Sequence, residues 1–152
     1  MEYEIKRITA AAQLVAAVRA RVPRGGIAEA YGKPLDKVWA FLRRSPGLRT
    51  EGHNLFLYHH DASDSGLISV DFGVQVVRRF EPDGDVRCIE TPSGEVVTTV
   101  HRGPYSRLSG AHDSIHEWFR QQRRSPGMLS WEIYGDWTDD PRSLETTVIY
   151  LL

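Results

Sequence analysis

A single cysteine, Cys88, and two methionines are all the sulfur this 152-residue sequence carries. One thiol closes no disulfide within the chain and builds no thiolate metal cluster, so a reducing compartment is the simplest reading. Excess charge is also missing, because 19 Lys and Arg stand against 20 Asp and Glu, a net −1. Without surplus positive charge to displace counterions from a phosphate backbone, and with no basic helix-turn-helix pattern, direct nucleic-acid binding is not expected. Long apolar runs are absent too. The longest, such as residues 14–18, fall far short of the roughly 20 needed to cross a bilayer. The opening residues, with Glu2, Glu4, Lys6 and Arg7, lack the apolar core of a secretory leader. These absences together predict a cytoplasmic protein with no membrane span.

What is present suits one globular domain over residues 1–152. The chain is 41% hydrophobic and 26% charged, and its length lets it remove roughly 70% of its unfolded surface from water. Residues 3–8 alternate apolar with charged, the period of a half-buried strand. Residues 14–22 read as a weaker strand broken by Pro23-Arg24-Gly25-Gly26. From Ile27 the spacing of Tyr31, Leu35, Val38, Trp39 and Leu42 predicts a helix, ended by Arg44-Ser45-Pro46-Gly47. Strands follow at 53–60 and 67–77 around a polar turn cluster at 61–66.

The same order then restarts. Strands are predicted at 85–91 and 95–102. A helix carries Leu108, Ala111, Ile115, Trp118 and Phe119 on one stripe, Arg124-Ser125-Pro126-Gly127 stops it, and strands at 128–136 and 144–152 close the chain. Trp39 matches Trp118, the two Arg-Ser-Pro-Gly stops match, and Tyr58 matches Tyr134 at a nearly constant offset. The expectation is an α+β fold of duplicated βαββ-type modules, roughly 1–80 and 84–152. It comprises two antiparallel sheets, each with a helix, and a ligand cleft between the halves.

The run Val100-His101-Arg102-Gly103-Pro104-Tyr105 leading into a helix with Trp118, the segment Trp131-Glu132-Ile133-Tyr134 before an Asp-Pro turn, and the closing strand resemble the GyrI-like small-molecule-binding domain family. That family includes the effector-binding portions of multidrug-responsive and AraC-type regulators. The resemblance covers almost the whole chain, although the first half has only Val22-Pro23-Arg24-Gly25-Gly26 where the second has the clearer helix-entry motif. It implies a pocket for aromatic, often cationic, compounds with a strand glutamate at its floor, by position Glu132. It further implies either binding alone or, as for relatives linked to ring-opening of cyclopropane compounds, hydrolysis with Glu132 and Tyr134 as the catalytic pair. The family name adds contact with DNA gyrase as a third possibility.

Alternation along a strand puts Glu132 and Tyr134 on one face and Trp131 with Ile133 on the other. With Trp131 and Ile133 under the helix, Glu132 and Tyr134 face the cleft. Half-to-half matching adds Phe56 and Tyr58, with Gly73 and Tyr150 at like positions of the neighbouring strands. Tyr105 and a ring edge of Trp39 complete the expected ligand wall. A carboxylate among rings favours cations, and its desolvation is expected to raise its pKa.

His112 and His116, four apart on the second helix, read as a solvated flank, since no His-Glu-x-x-His pattern or third ligand accompanies them. Nothing among His53, His59 and His60 singles out a haem ligand, and neither metal nor other cofactor is expected. No Gly-x-Ser-x-Gly elbow or phosphate loop is present.

Overall fold

The computed structural model describes residues 3–60 and 66–152, so all but Gly66 of the turn cluster expected at 61–66 lies outside the described residues. Among the described residues eight strands form: β1 Lys6–Ala10, β2 Leu14–Pro23, β3 Asn54–His59, β4 Leu67–Gln75, β5 Arg87–Glu90, β6 Gly94–Arg102, β7 Leu129–Tyr134 and β8 Glu145–Leu151. Between them lie the single turn α1 Ile27–Ala30, then α2 Gly32–Arg43 and α3 Ser109–Gln121. None of the described helices is long and apolar enough to cross a membrane.

The α+β class holds, but two sheets do not. All eight strands join one antiparallel sheet in the order β1-β6-β8-β7-β3-β4-β2-β5. The junction is β3 against β7, with Phe56 opposite Glu132 and Tyr58 opposite Ser130. Two separate sheets would leave these strands as unpaired edges in the middle of the molecule, and pairing them satisfies both rows of backbone groups. The element order β2-α2-β3-β4 is followed later by β6-α3-β7-β8, and the sheet order reads the same outward from the junction in both directions.

Local boundaries shift for identifiable reasons. The first strand begins at Lys6, because Tyr3 and Ile5 pack against the α3 cluster and the Tyr3 hydroxyl pairs with Nδ1 of His101 at 2.8 Å. The helix expected from Ile27 breaks around Tyr31 into α1 and α2. Pro34 falls in the first turn of α2, where its missing N–H costs nothing. Gly47 in the first stop has φ +81, a conformation only glycine adopts without strain.

Both helices lie on one face of the sheet. Leu35, Val38, Phe41 and Leu42 of α2 pack over Val70, Phe72 and Val74, while Ala111, Ile115 and Phe119 of α3 pack over Val97, Val148 and Tyr150. The other face buries Val15, Ala17, Leu55, Leu57, Val96, Trp131 and Ile149 using strand residues alone. The expected roles of the two faces are therefore reversed. Trp131 fills the helix-free core, and Glu132 points to the helix side, into the gap between α1–α2 and α3. Gly73 also lies on the helix-free side, opposite Leu55 and Ala17, so it does not line the cleft. A Cβ there would come within 2.5 Å of the Ala16 carbonyl and of Val15, so Gly73 is needed for close approach of β2 and β4.

Candidate ligand-binding site

The period of β7 places Glu132 between Val148 of β8 and Phe56 of β3, on the helix-bearing face. Only 4% of Glu132 is exposed. A carboxylate so far from water needs donors for its oxygens. Oε1 accepts the hydroxyls of Tyr58 at 2.5 Å and Tyr134 at 2.6 Å. Oε2 lies 2.6 Å from Nε2 of His112, which reaches down from α3. The other ring nitrogen, Nδ1, is 2.7 Å from the Tyr150 hydroxyl. In the neutral imidazole this arrangement has Nε2–H donating to the carboxylate and Nδ1 accepting from Tyr150. His116, one turn on, lies 3.3 Å from the same hydroxyl.

These contacts set the ionisation of the site. Burial pushes the Glu132 carboxyl upward, but the hydrogen bond and electrostatic attraction of His112, then the hydrogen bonds from Tyr134 and Tyr58, outweigh it, and the net displacement is below the ordinary value. The desolvation-dominated rise expected from the sequence is reversed, because a carboxylate with several donors is favoured in its charged form. Tyr58, Tyr134 and Tyr150 move the opposite way. Burial, then the Glu132 charge beside them, raises all three far above the usual phenol value, so they stay protonated donors.

A hollow of about 270 Å³ opens beside the carboxylate. Its floor and walls are Glu132, Tyr58, Ser130, His112 and Tyr150, with Ile27 and Ile68 on the α1 side and His60 and Arg24 completing the lining. The ring of His60 stacks on Tyr150 at 6.2 Å and 10°, and its Nε2 lies 2.6 Å from the Ser130 hydroxyl. Another hollow, of about 460 Å³, runs along β2 past Lys33, Lys37 and Arg87, without a buried acid.

Of the expected site residues, Glu132, Tyr134, Tyr58 and Tyr150 converge. Phe56 and Tyr105 pack on the Tyr134 ring at 4.9 and 5.6 Å, forming an aromatic wall behind the acid rather than the lining of the hollow. Trp39 does not take part. Its indole N–H donates to Asn54 at 3.1 Å and Arg49 covers the ring at 4.8 Å, which ties it to the end of the first half. His112, His60, Ser130 and Arg24 are the additions. The signal for His112 was available: four after Leu108 and three before Ile115, it borders the apolar stripe.

His53 pairs with Asp136 and His59 with Asp71. Among the described residues no group of three or more His, Cys, Asp or Glu side chains is arranged to hold a metal ion.

Residues 1–151 match the family described as the GyrI-like small molecule binding domain. The chain belongs to this family. Among solved structures, this GyrI-like domain is similar to the C-terminal domain of EcmrR at 21% identity and a TM-score of 0.80, with 99% of this chain and 97% of that one covered. SAV2435 bound to tetraphenylphosphonium is similar at 13% identity and a TM-score of 0.66, covering 99% and 93%. A hydrolase from Listeria innocua is similar at 14% identity and a TM-score of 0.63, covering 97% and 90%. No curated protein matches by sequence. At these identities the structural likenesses establish the fold alone.

Proposed function

We propose that this GyrI-like domain takes up bulky aromatic compounds, cationic ones in particular, in the hollow between α1–α2 and α3, with Glu132 as the charge that holds them. A role in cytoplasmic drug or toxin resistance by sequestration follows from such binding. The observation that carries the reading is a buried carboxylate held ionised by His112 and two tyrosine hydroxyls and facing a hollow walled by Tyr58 and Tyr150. The tyrosine hydroxyls satisfy Oε1 without cancelling the charge. At about 5 Å and an effective dielectric near 20, that charge attracts a cation by about 3 kcal/mol, and each ring face adds about 0.5–2 kcal/mol. A relative of the same fold carries tetraphenylphosphonium, an aromatic cation.

Titration with tetraphenylphosphonium and with a neutral tetraphenyl analogue tests this. Glu132→Gln is expected to weaken the cation tenfold or more while shifting the neutral analogue by less than about twofold, tenfold being 1.4 kcal/mol. Equal losses for both would overturn the assignment of Glu132.

One feature favours hydrolysis as a second reading. Glu132, His112 and Tyr150 form a continuous hydrogen-bonded relay, in which an imidazole oriented by a carboxylate can take a proton from a group in the hollow. A fold relative is a hydrolase. For a cyclopropane-bearing substrate, the oxygen of water would bond to one ring carbon as the strained carbon–carbon bond breaks, its proton passing to His112, and the protonated imidazole would return that proton to the opened carbon or its conjugated oxygen. Incubation with a cyclopropane-bearing alkylator, followed by mass analysis for gain of one water, separates turnover from binding.

A further inference from the structure

The hollow is not uniformly acidic. Glu132 lies at its floor, 4% exposed, whereas Arg24, in the turn that leaves β2, borders it as an exposed side chain. Among the described residues the Arg24 guanidinium has no carboxylate partner and donates no side-chain hydrogen bond. Its backbone N–H alone is engaged, bonding the Gly66 carbonyl at 3.1 Å. His60, beside it in the lining, spends Nε2 on Ser130 at 2.6 Å, and its Nδ1 has no partner among the described residues. A guanidinium and an imidazole nitrogen that both lack a partner among the described residues, side by side at the mouth of a cavity, suit an anionic oxygen, because a guanidinium presents a planar donor fork matched to a carboxylate.

We infer that the hollow is bipolar, and that the ligands it favours are amphoteric aromatic compounds whose cationic centre lies toward Glu132 and whose anionic oxygen is held at the mouth by Arg24 with His60. Two further observations agree. His60 is held below the ordinary histidine value first by burial and then by the positive charge of Arg24, so a bound anion at this end would relieve a positive potential. The hydroxyl of Ser130, paired with His60, lies in the same lining, so the polar groups at this end are continuous. The hollow, at about 270 Å³, is small beside the roughly 300–1,000 Å³ common for ligand pockets, which brings both ends within reach of one aromatic molecule. This inference rests on the proposed uptake of aromatic cations and adds the second pole.

The test uses a xanthene dye bearing a free carboxylate and its methyl ester, which share one cationic ring system, with tetraphenylphosphonium as reference. The intact chain is expected to bind the free acid at least tenfold more tightly than the ester. Arg24→Gln, at an exposed turn position, should bring the acid to the level of the ester and leave the ester within twofold. Glu132→Gln should weaken both dyes. The preference for the acid should also shrink in high salt, since the rim is exposed. A chain that binds tetraphenylphosphonium but binds both dyes equally, or neither, overturns the bipolar reading alone, as does an Arg24→Gln variant that weakens acid and ester alike. A chain that binds none of the three overturns this inference together with the reading beneath it.

Discussion

Two buried carboxylates occupy central strands of the sheet, and they differ in one respect that separates a brace from the proposed binding group. Asp71 on β4 is 1% exposed and Glu132 on β7 is 4% exposed. Burial raises each, hydrogen bonds lower each by more, and both end below their ordinary values. Each has a histidine nitrogen 2.6 Å away. Their remaining partners differ. Asp71 takes a bidentate pair from Arg19 at 3.0 Å on each oxygen, a permanent positive charge that cancels its own. Glu132 takes two tyrosine hydroxyls, which satisfy it without cancelling anything. Asp71 lies on the face of the sheet away from the helices and lines none of the hollows described above, whereas Glu132 faces one. Burial and pKa direction therefore do not distinguish the two acids, and the charge of their donors does.

The largest expected effect on stability breaks the brace. Arg19→Met leaves Asp71 buried with His59 alone, and removal of one partner of a buried pair costs about 3–5 kcal/mol. Since Arg19 is 47% exposed, solvent already shares its charge, and a loss of about 2 kcal/mol is expected. Chemical denaturation measures it, and tetraphenylphosphonium affinity should not change. Tyr58→Phe comes next. It removes one donor from Glu132 and leaves the other two, so about 1 kcal/mol of stability should go, together with a severalfold change in affinity.

Glu132→Gln sharpens the contrast most, because its expected cost in stability is smaller still, under about 1 kcal/mol. The amide oxygen can keep both tyrosine hydroxyls, and the amide N–H can donate to His112 once the ring proton moves to Nδ1 and donates to Tyr150. A variant that loses stability as heavily as Arg19→Met would make Glu132 a brace as well.

The smallest effects lie in the pH dependence. His60 and His116 are both lowered from 6.5, chiefly by burial, so the unfolded chain takes up their protons first. Their contribution is intact above pH 6.5 and is lost as the pH falls below that value toward their folded-state values. Glu132 and Asp71 act further down, with stability present above the ordinary carboxylate range and lost as the pH falls through their lowered folded values. The fall in denaturation free energy between pH 7 and pH 3 should therefore be smaller in Glu132→Gln than in the unaltered chain.

Much of this was legible in the sequence. Alternation in β7 joined Glu132 to Tyr134, and the strand face carrying Tyr58 followed from the same rule. The helix stripes at Leu35, Val38 and Leu42, and at Ala111, Ile115 and Phe119, were visible, as were both stops. Gly73 was misplaced because matching the halves gives position along an element but not which side of the sheet the helices cover, whereas the Trp39 ring edge is turned away by its bond to Asn54.

By itself, the sequence determined the period of each element, the residues that share a face, and the absence of surplus positive charge, since these depend on neighbours a few positions apart and on composition. Only the tertiary structure decided that β3 closes against β7, that Glu132 lies on the helix side, and that it remains ionised. Two of its three donors come from positions 20 and 74 residues away in the chain. Whether a buried carboxylate keeps its proton depends on what surrounds it in space, and that is written in no local pattern.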